Sequence, residues 1–184
     1  MTSHTEIEII HVIWHGPLTV EEAVVANTND DYGIYQIYGA HEASGSDTLL
    51  YVGQADRGRF DGRIMHHQEK WGRWNPDKLG IYLGRLAGLE PITNDEWGNV
   101  IDRAEAVLIW KIGVPFNSAR ITSLKYLEKP ILVVNHGHRH RLPECVSTLT
   151  EFINTDQEQF RAFGPSGHSV APPIPVPRDP AENE

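Results

Sequence analysis

Two short runs constrain this chain more than anything else in it. Gly33 to Gly39 (GIYQIYG) and Leu49 to Gly53 (LLYVG) are rich in Ile, Leu, Val and Tyr, which suit a pleated strand. A Gly- and Ser-containing loop, His41 to Asp47, separates them. The pair predicts an antiparallel hairpin with a long loop. Leu79 to Leu86 (LGIYLGRL) predicts a third strand. Between hairpin and third strand, Arg59 to Trp71 predicts a helix. Its Phe60, Ile64, His67 and Trp71 share one stripe, with Arg63 at the edge. A longer helix is expected from Asp95 to Ile112, capped by Asn94 and ended by Gly113 and Pro115.

The flanks read separately. Glu6 to Trp14 (EIEIIHVIW) is β-rich with partial alternation, and His15-Gly16-Pro17 breaks it. Thr19 to Glu22 fits a capping box and predicts a short helix to about Asn27. Ile131 to Asn135 predicts a strand, Arg139 to Val146 is expected to pair back on it, and Ser147 to Phe163 resembles an amphipathic helix. Beyond Gly164, prolines at 165, 172, 173, 175, 177 and 180 predict a disordered or polyproline-like tail. The expected fold class is α/β, with a small, mainly antiparallel three-stranded central sheet flanked by helices and with N- and C-terminal additions. The expected divisions are a strand/helix extension (1–30), the central domain (31–119), a C-terminal strand/helix extension (120–163) and the tail (164–184).

Composition bears on partners and compartment. The 184 residues carry a formal net charge of −9 at pH 7, which at face value argues against nucleic acid. The distribution says otherwise. Residues 1–56 hold nine acids and no Lys or Arg, residues 57–141 are net +5, and residues 142–184 are net −5. The densest basic stretch is Arg57, Arg59, Arg63, Lys70 and Arg73, joined by His66 and His67. It reads as a solvated helix face or as a footprint for phosphate. The single cysteine, Cys145, excludes an internal disulfide and a Cys-based zinc site, so a reducing, cytoplasmic location is expected. No run of about 18 apolar residues is present, so no membrane span is expected, nor is a signal peptide.

Glu105 is the most demanding residue. On a wheel of about 100° per residue it falls about 40° from Ile101, inside the stripe formed with Ala104, Leu108 and Ile112. A carboxylate aimed at a core is costly unless paired or metal-bound. An ion pair with Arg63 or Arg85 is one solution, and a hard divalent cation is the other. His136, His138 and His140 alternate, so a continuing strand would put them on one face, with Arg139 and Arg141 on the opposite one. Trp71, Trp74 and Trp97 are expected to pack, with base stacking as the alternative. Cys145 reads as a small core residue.

Taken in order, Gly33-Ile34-Tyr35, Tyr51-Val52-Gly53, Arg63, Glu105 and Asn117 resemble the GIY-YIG nuclease superfamily over roughly residues 31–119. The spacing from Arg63 to His67 is similar to the Arg-x-x-x-His of its restriction-endonuclease members. Val52 stands where the family usually has Ile, and the stretch from Gly53 to Arg63 is about two residues longer than common. The resemblance implies a metal-dependent endonuclease hydrolysing DNA phosphodiester bonds, of restriction or phage-defence type. It implies Tyr35, Tyr51, Arg63, His67, Glu105 and Asn117 at the catalytic centre, with Mg²⁺ or Mn²⁺ on Glu105 and Tyr35 as general base. Asn117 is expected to fix local structure. Arg57, Arg59, Lys70 and Arg73 are expected to contact substrate. Cutting both strands is compatible with a homodimer, and the acidic N-terminus or Pro-rich tail is available to a protein partner. A catalytically inactive nucleic-acid-binding module and a nuclease-complex interaction subunit are the alternatives. The acidic first third predicts weak nonspecific affinity for duplex DNA. A salt-dependent binding titration on random-sequence duplex checks this, and tight sequence-blind binding at physiological salt would contradict it.

Overall fold

The β-rich segment near the N-terminus does not decorate a smaller sheet; it forms one of the sheet's inner strands. The computed structural model describes residues 6–26, 33–55, 60–71, 79–88, 93–118, 124 and 127–152. In chain order the elements are β1 (Glu8–Leu18), α1 (Val20–Val25), β2 (Ile34–His41), β3 (Gly45–Gln54), α2 (Phe60–Trp71), β4 (Gly80–Ala87), α3 (Asn94–Ile112), β5 (Ile131–Gly137), β6 (Cys145–Ser147) and α4 (Leu149–Phe152). The strands form one sheet of six in the order β3-β2-β4-β1-β5-β6. β1 runs parallel to β5, and the other neighbours are antiparallel.

This corrects the expected fold class. The sheet is mixed and six-stranded, not a small three-stranded antiparallel one. The free side of β4 is taken by β1, with Ile13 opposite Arg85 and Trp14 opposite Gly84. β1 is then extended by β5, with Ile10 opposite Val133. Local alternation marks Glu6 to Trp14 as a strand, but pairing is decided by which long-range edge buries its Ile10, Val12 and Trp14 face.

The register assigns the two faces. Tyr35, Ile37, Ile81 and Leu83 lie on one side with Val20 and Ala23 of α1 and Phe60 and Ile64 of α2. Ile34, Tyr38, Val52, Ile10, Val12, Trp14 and Val133 lie on the other, where α3 packs Ile101, Ala104, Val107 and Leu108 against them. Trp97 packs against this second core, as expected. Arg103 of α3 meets Glu8 of β1 at 2.6 Å, tying the helix to the sheet.

Several local expectations meet the structure directly. The Thr19–Glu22 capping box is present, with both reciprocal hydrogen bonds. The cap of α3 is Thr93, one residue before the expected Asn94, and its side chain accepts from the Glu96 amide. Gly113 ends that helix at φ +68°, the left-handed conformation glycine adopts freely. The three alternating histidines part company because β5 stops at Gly137. His136 Nε2 lies 2.9 Å from His11 Nδ1, His138 Nδ1 lies 2.9 Å from the Gly16 carbonyl, and His140 meets Asp47 at 2.9 Å. They share no face. Cys145 is exposed rather than buried, because on β6 it is Val146 that faces the core. Of the expected helix from Ser147 to Phe163, α4 is described; residues 153–163 and the Pro-rich tail lie outside the described residues.

Asn135 of β5 joins the parallel pair by side-chain hydrogen bonds. It is 2% exposed, accepts from Trp14 Nε1 at 2.9 Å and donates to the Pro143 carbonyl at 2.8 Å. Asn135→Ala strands a buried indole N–H and a carbonyl. We expect a loss of about 2–3 kcal/mol, read from urea unfolding with an unchanged m-value.

Candidate active site

β2 and β3 place the two tyrosines by pairing alone. Tyr35 pairs with Gly53 and Ile37 with Tyr51, so Tyr35 and Tyr51 are diagonal neighbours on one face. Their rings lie 6.0 Å apart between centroids. Gly53 makes the approach feasible. A Cβ there would sit 2.5 Å from the Tyr35 hydroxyl and from the Tyr51 ring. The Tyr35 side chain crosses its partner strand through the space that glycine leaves. Gly33 serves the other end of the motif, since a Cβ on it would run into the Gly84 carbonyl.

α2 brings the third ring. Phe60 and Ile64 anchor the helix in the core, and His67, one turn beyond Arg63, turns inward at 9% exposure. His67 Nε2 lies 2.8 Å from the Tyr35 hydroxyl, and its ring centroid is 4.4 Å from that of Tyr51. Phe60 meets Tyr35 edge-on at 6.3 Å and fixes its plane. Tyr51 is the neighbouring phenol, and each of the two influences the ionisation of the other. A phenol has one proton to give. If it goes to Nε2, the imidazole accepts it; otherwise Nε2 carries the proton and donates to the Tyr35 oxygen. Either way Tyr35 and His67 share one proton across 2.8 Å.

Burial pushes the Tyr35 phenol well above its ordinary range, and Tyr51 and Glu105 add to the shift while Arg63 opposes it. Tyr51 is raised chiefly by burial as well, then by Glu105, with Tyr35 and Arg63 pulling it down. A preformed phenolate at Tyr35 is therefore disfavoured, and the shared proton with His67 is the arrangement the geometry provides. Arg63 is exposed on α2, with its positive field felt at both phenols.

Glu105 comes from α3 and is 7% exposed. It is the sole sequence-predicted metal ligand. Among the described residues no group of three or more His, Cys, Asp or Glu side chains converges into a metal cage. One buried carboxylate does not make a zinc or calcium cage. It does fit a Mg²⁺-type ion, which keeps several waters and needs one or two carboxylates besides substrate phosphate.

Asn117 does not face the phenols. Its Nδ2 donates to the Val52 carbonyl at 2.7 Å and its Oδ1 accepts from the Val52 amide at 3.1 Å. The preceding Phe116 amide donates to the Leu50 carbonyl at 3.0 Å. The segment after α3 thus lines the outer edge of β3. Arg57, Arg59 and Arg73 lie outside the described residues. Lys70 lies on α2, with only its backbone described. Sequence reasoning overlooked Gln54, whose Nε2 donates to Asp102 Oδ1 at 3.1 Å. The available signal was positional: Gln54 follows the second motif directly, and Asp102 lies one turn before Glu105. Comparison with protein-family models, curated proteins and solved structures returned no match to this chain.

The raised phenols set an alkaline limit. Tyr35, Tyr38, Tyr51 and Tyr82 are all raised in the folded state, each chiefly by burial. The unfolded chain releases these protons above about pH 10, whereas the folded chain holds them. Their contribution is thus intact below that pH and is lost as pH rises beyond it. Phenolate absorbance from these four residues should appear together with unfolding, and Tyr35→Phe should make the alkaline loss of stability shallower. Early ionisation of all tyrosines in a folded chain would contradict this.

Proposed function

We propose that this chain is a GIY-YIG-type endonuclease that hydrolyses DNA phosphodiester bonds with Mg²⁺ or Mn²⁺. The observation that carries the reading is the 2.8 Å contact between the Tyr35 hydroxyl and His67 Nε2, with the Tyr51 ring beside both. Residues 32 apart in sequence, on a strand and a helix, meet as a proton-sharing pair beside an exposed arginine and a buried carboxylate. That combination suits attack of water on a phosphodiester.

In this reading the chain's own groups divide the work as follows. Arg63 binds the phosphoryl oxygens, where a planar guanidinium matches two acceptors at once. Tyr35 receives the proton of the attacking water as its own proton passes to His67 Nε2, so no free phenolate is needed at neutral pH. Tyr51, the neighbouring phenol, holds the water in line. Glu105 would hold the cation, which supplies Lewis-acid neutralisation of charge on the phosphate and the leaving oxygen. The bond from phosphorus to the leaving oxygen breaks, the oxygen of water bonds to phosphorus, and the leaving alkoxide is protonated from solvent. Asn117 holds β3 and does not touch the reacting atoms. A stand-alone enzyme of restriction or phage-defence type, working as a homodimer on two strands, fits this reading.

Plasmid nicking with Mg²⁺ and with Mn²⁺ tests it. Wild type should nick. Tyr35→Phe should be slower by a factor of at least about 10², the usual scale for removing a general base. Glu105→Ala should show no metal-dependent cleavage. Full activity of Glu105→Ala would remove the metal-ligand assignment, and absence of cleavage by wild type on DNA and RNA with either ion would favour a binding module.

A further inference from the structure

The strand Tyr51-Val52-Gly53-Gln54 does two jobs on its two faces. Tyr51 and Gly53 face the phenol cluster, while Val52 is packed in the core beneath α3 and Gln54 shares its parity. Gln54 therefore leaves the strand on the side where α3 passes. Its Nε2 donates to Asp102 Oδ1 at 3.1 Å in a part-buried setting. The carboxylate also fixes which way the amide turns, since the reversed amide would set two oxygens against each other. Asp102 precedes Glu105 by three residues, so the two side chains lie on neighbouring turns of one helix face. A second link is made at the far end, where Asn117 holds Val52 by two hydrogen bonds. The helix segment carrying Glu105 is thus secured to β3 on both sides, and both links start from residues adjacent to Tyr51 and Gly53.

We infer that Gln54 is a positioning residue: through its bond to Asp102 it sets the rotation and height of α3, and with them the placement of the Glu105 carboxylate beside Tyr51 and Tyr35. This rests on the nuclease reading, because it is toward a cation that Glu105 must be aimed. Outer groups that orient a ligand typically change metal affinity or activity by about 10- to 100-fold when removed. Gln54→Ala in the full chain should therefore weaken Mn²⁺ binding, followed by electron paramagnetic resonance of the free ion without DNA, by about tenfold. The metal concentration for half-maximal nicking should rise by the same factor.

An exchanged pair supplies the control for folding. Gln54→Glu combined with Asp102→Asn keeps both side-chain lengths and restores one amide-to-carboxylate bond with donor and acceptor reversed. It should recover most of the lost affinity, although Asp102→Asn alone should not. An unchanged Mn²⁺ titration in Gln54→Ala, or an exchanged pair that folds at the wild-type Tm yet binds as weakly as Gln54→Ala, would overturn the inference. Wild type decides the level at which a failure lies. If it binds Mn²⁺ and nicks while Gln54→Ala does the same, positioning alone is wrong. If wild type does neither, the nuclease reading and this inference fall together.

Discussion

The Val52 amide and carbonyl point outward at the edge of the sheet, and the Asn117 side chain meets both of them. An edge strand with unmatched backbone groups is free to slip, fray or pair with another chain. Here a primary amide stands in for a neighbouring strand at one residue, and the Phe116 amide does so at Leu50. The register of β3 against β2 is thereby held where Tyr51 and Gly53 need it. A slip of one residue would send Tyr51 to the opposite face and fill the gap over which Tyr35 extends. The proton-sharing cluster therefore depends on a contact that touches none of its members.

Burial and polarity pull against each other across the site. Tyr35 is 1% exposed and Gln36, on the other face of the same strand, is 0% exposed. Both are polar groups taken out of water, and each is held by a neighbour: Tyr35 by His67, Gln36 Oε1 by the Tyr38 hydroxyl. Such groups are tolerable when hydrogen-bonded and costly otherwise. For the phenols the same burial that fixes geometry suppresses ionisation. A buried tyrosine can then act on a proton only through a partner, and His67 is the partner within reach.

Much of the candidate site was legible in the sequence because it is local. The two tyrosine strands, the inward His67 and the apolar-stripe position of Glu105 follow from periods of two and of 3.6. What these periods cannot give is which strand edges meet. The alternation in Glu6 to Trp14 was readable, but not its place between β4 and β5. The histidine triplet shows the converse error: alternation implies a shared face only while the strand lasts, and Gly137 at φ +69° ends it. Beyond its place directly after the second motif, an amide such as Gln54 in a strand carries no local signal of its role. Its meaning comes from Asp102, 48 residues away.

The parallel pairing of β1 with β5 has a consequence for how the chain comes together. β1 is the first described strand and β5 nearly the last, so contacts such as Ile10 with Val133 close a loop on the order of a hundred residues. Pairing of that kind is entropically late and slows folding. During synthesis the Ile10, Val12 and Trp14 face must wait, with one strand edge open, until residues 131–137 have left the ribosome. β1 thus gains its second sheet neighbour long after its own synthesis, once α3 and the segment leading to β5 have been made.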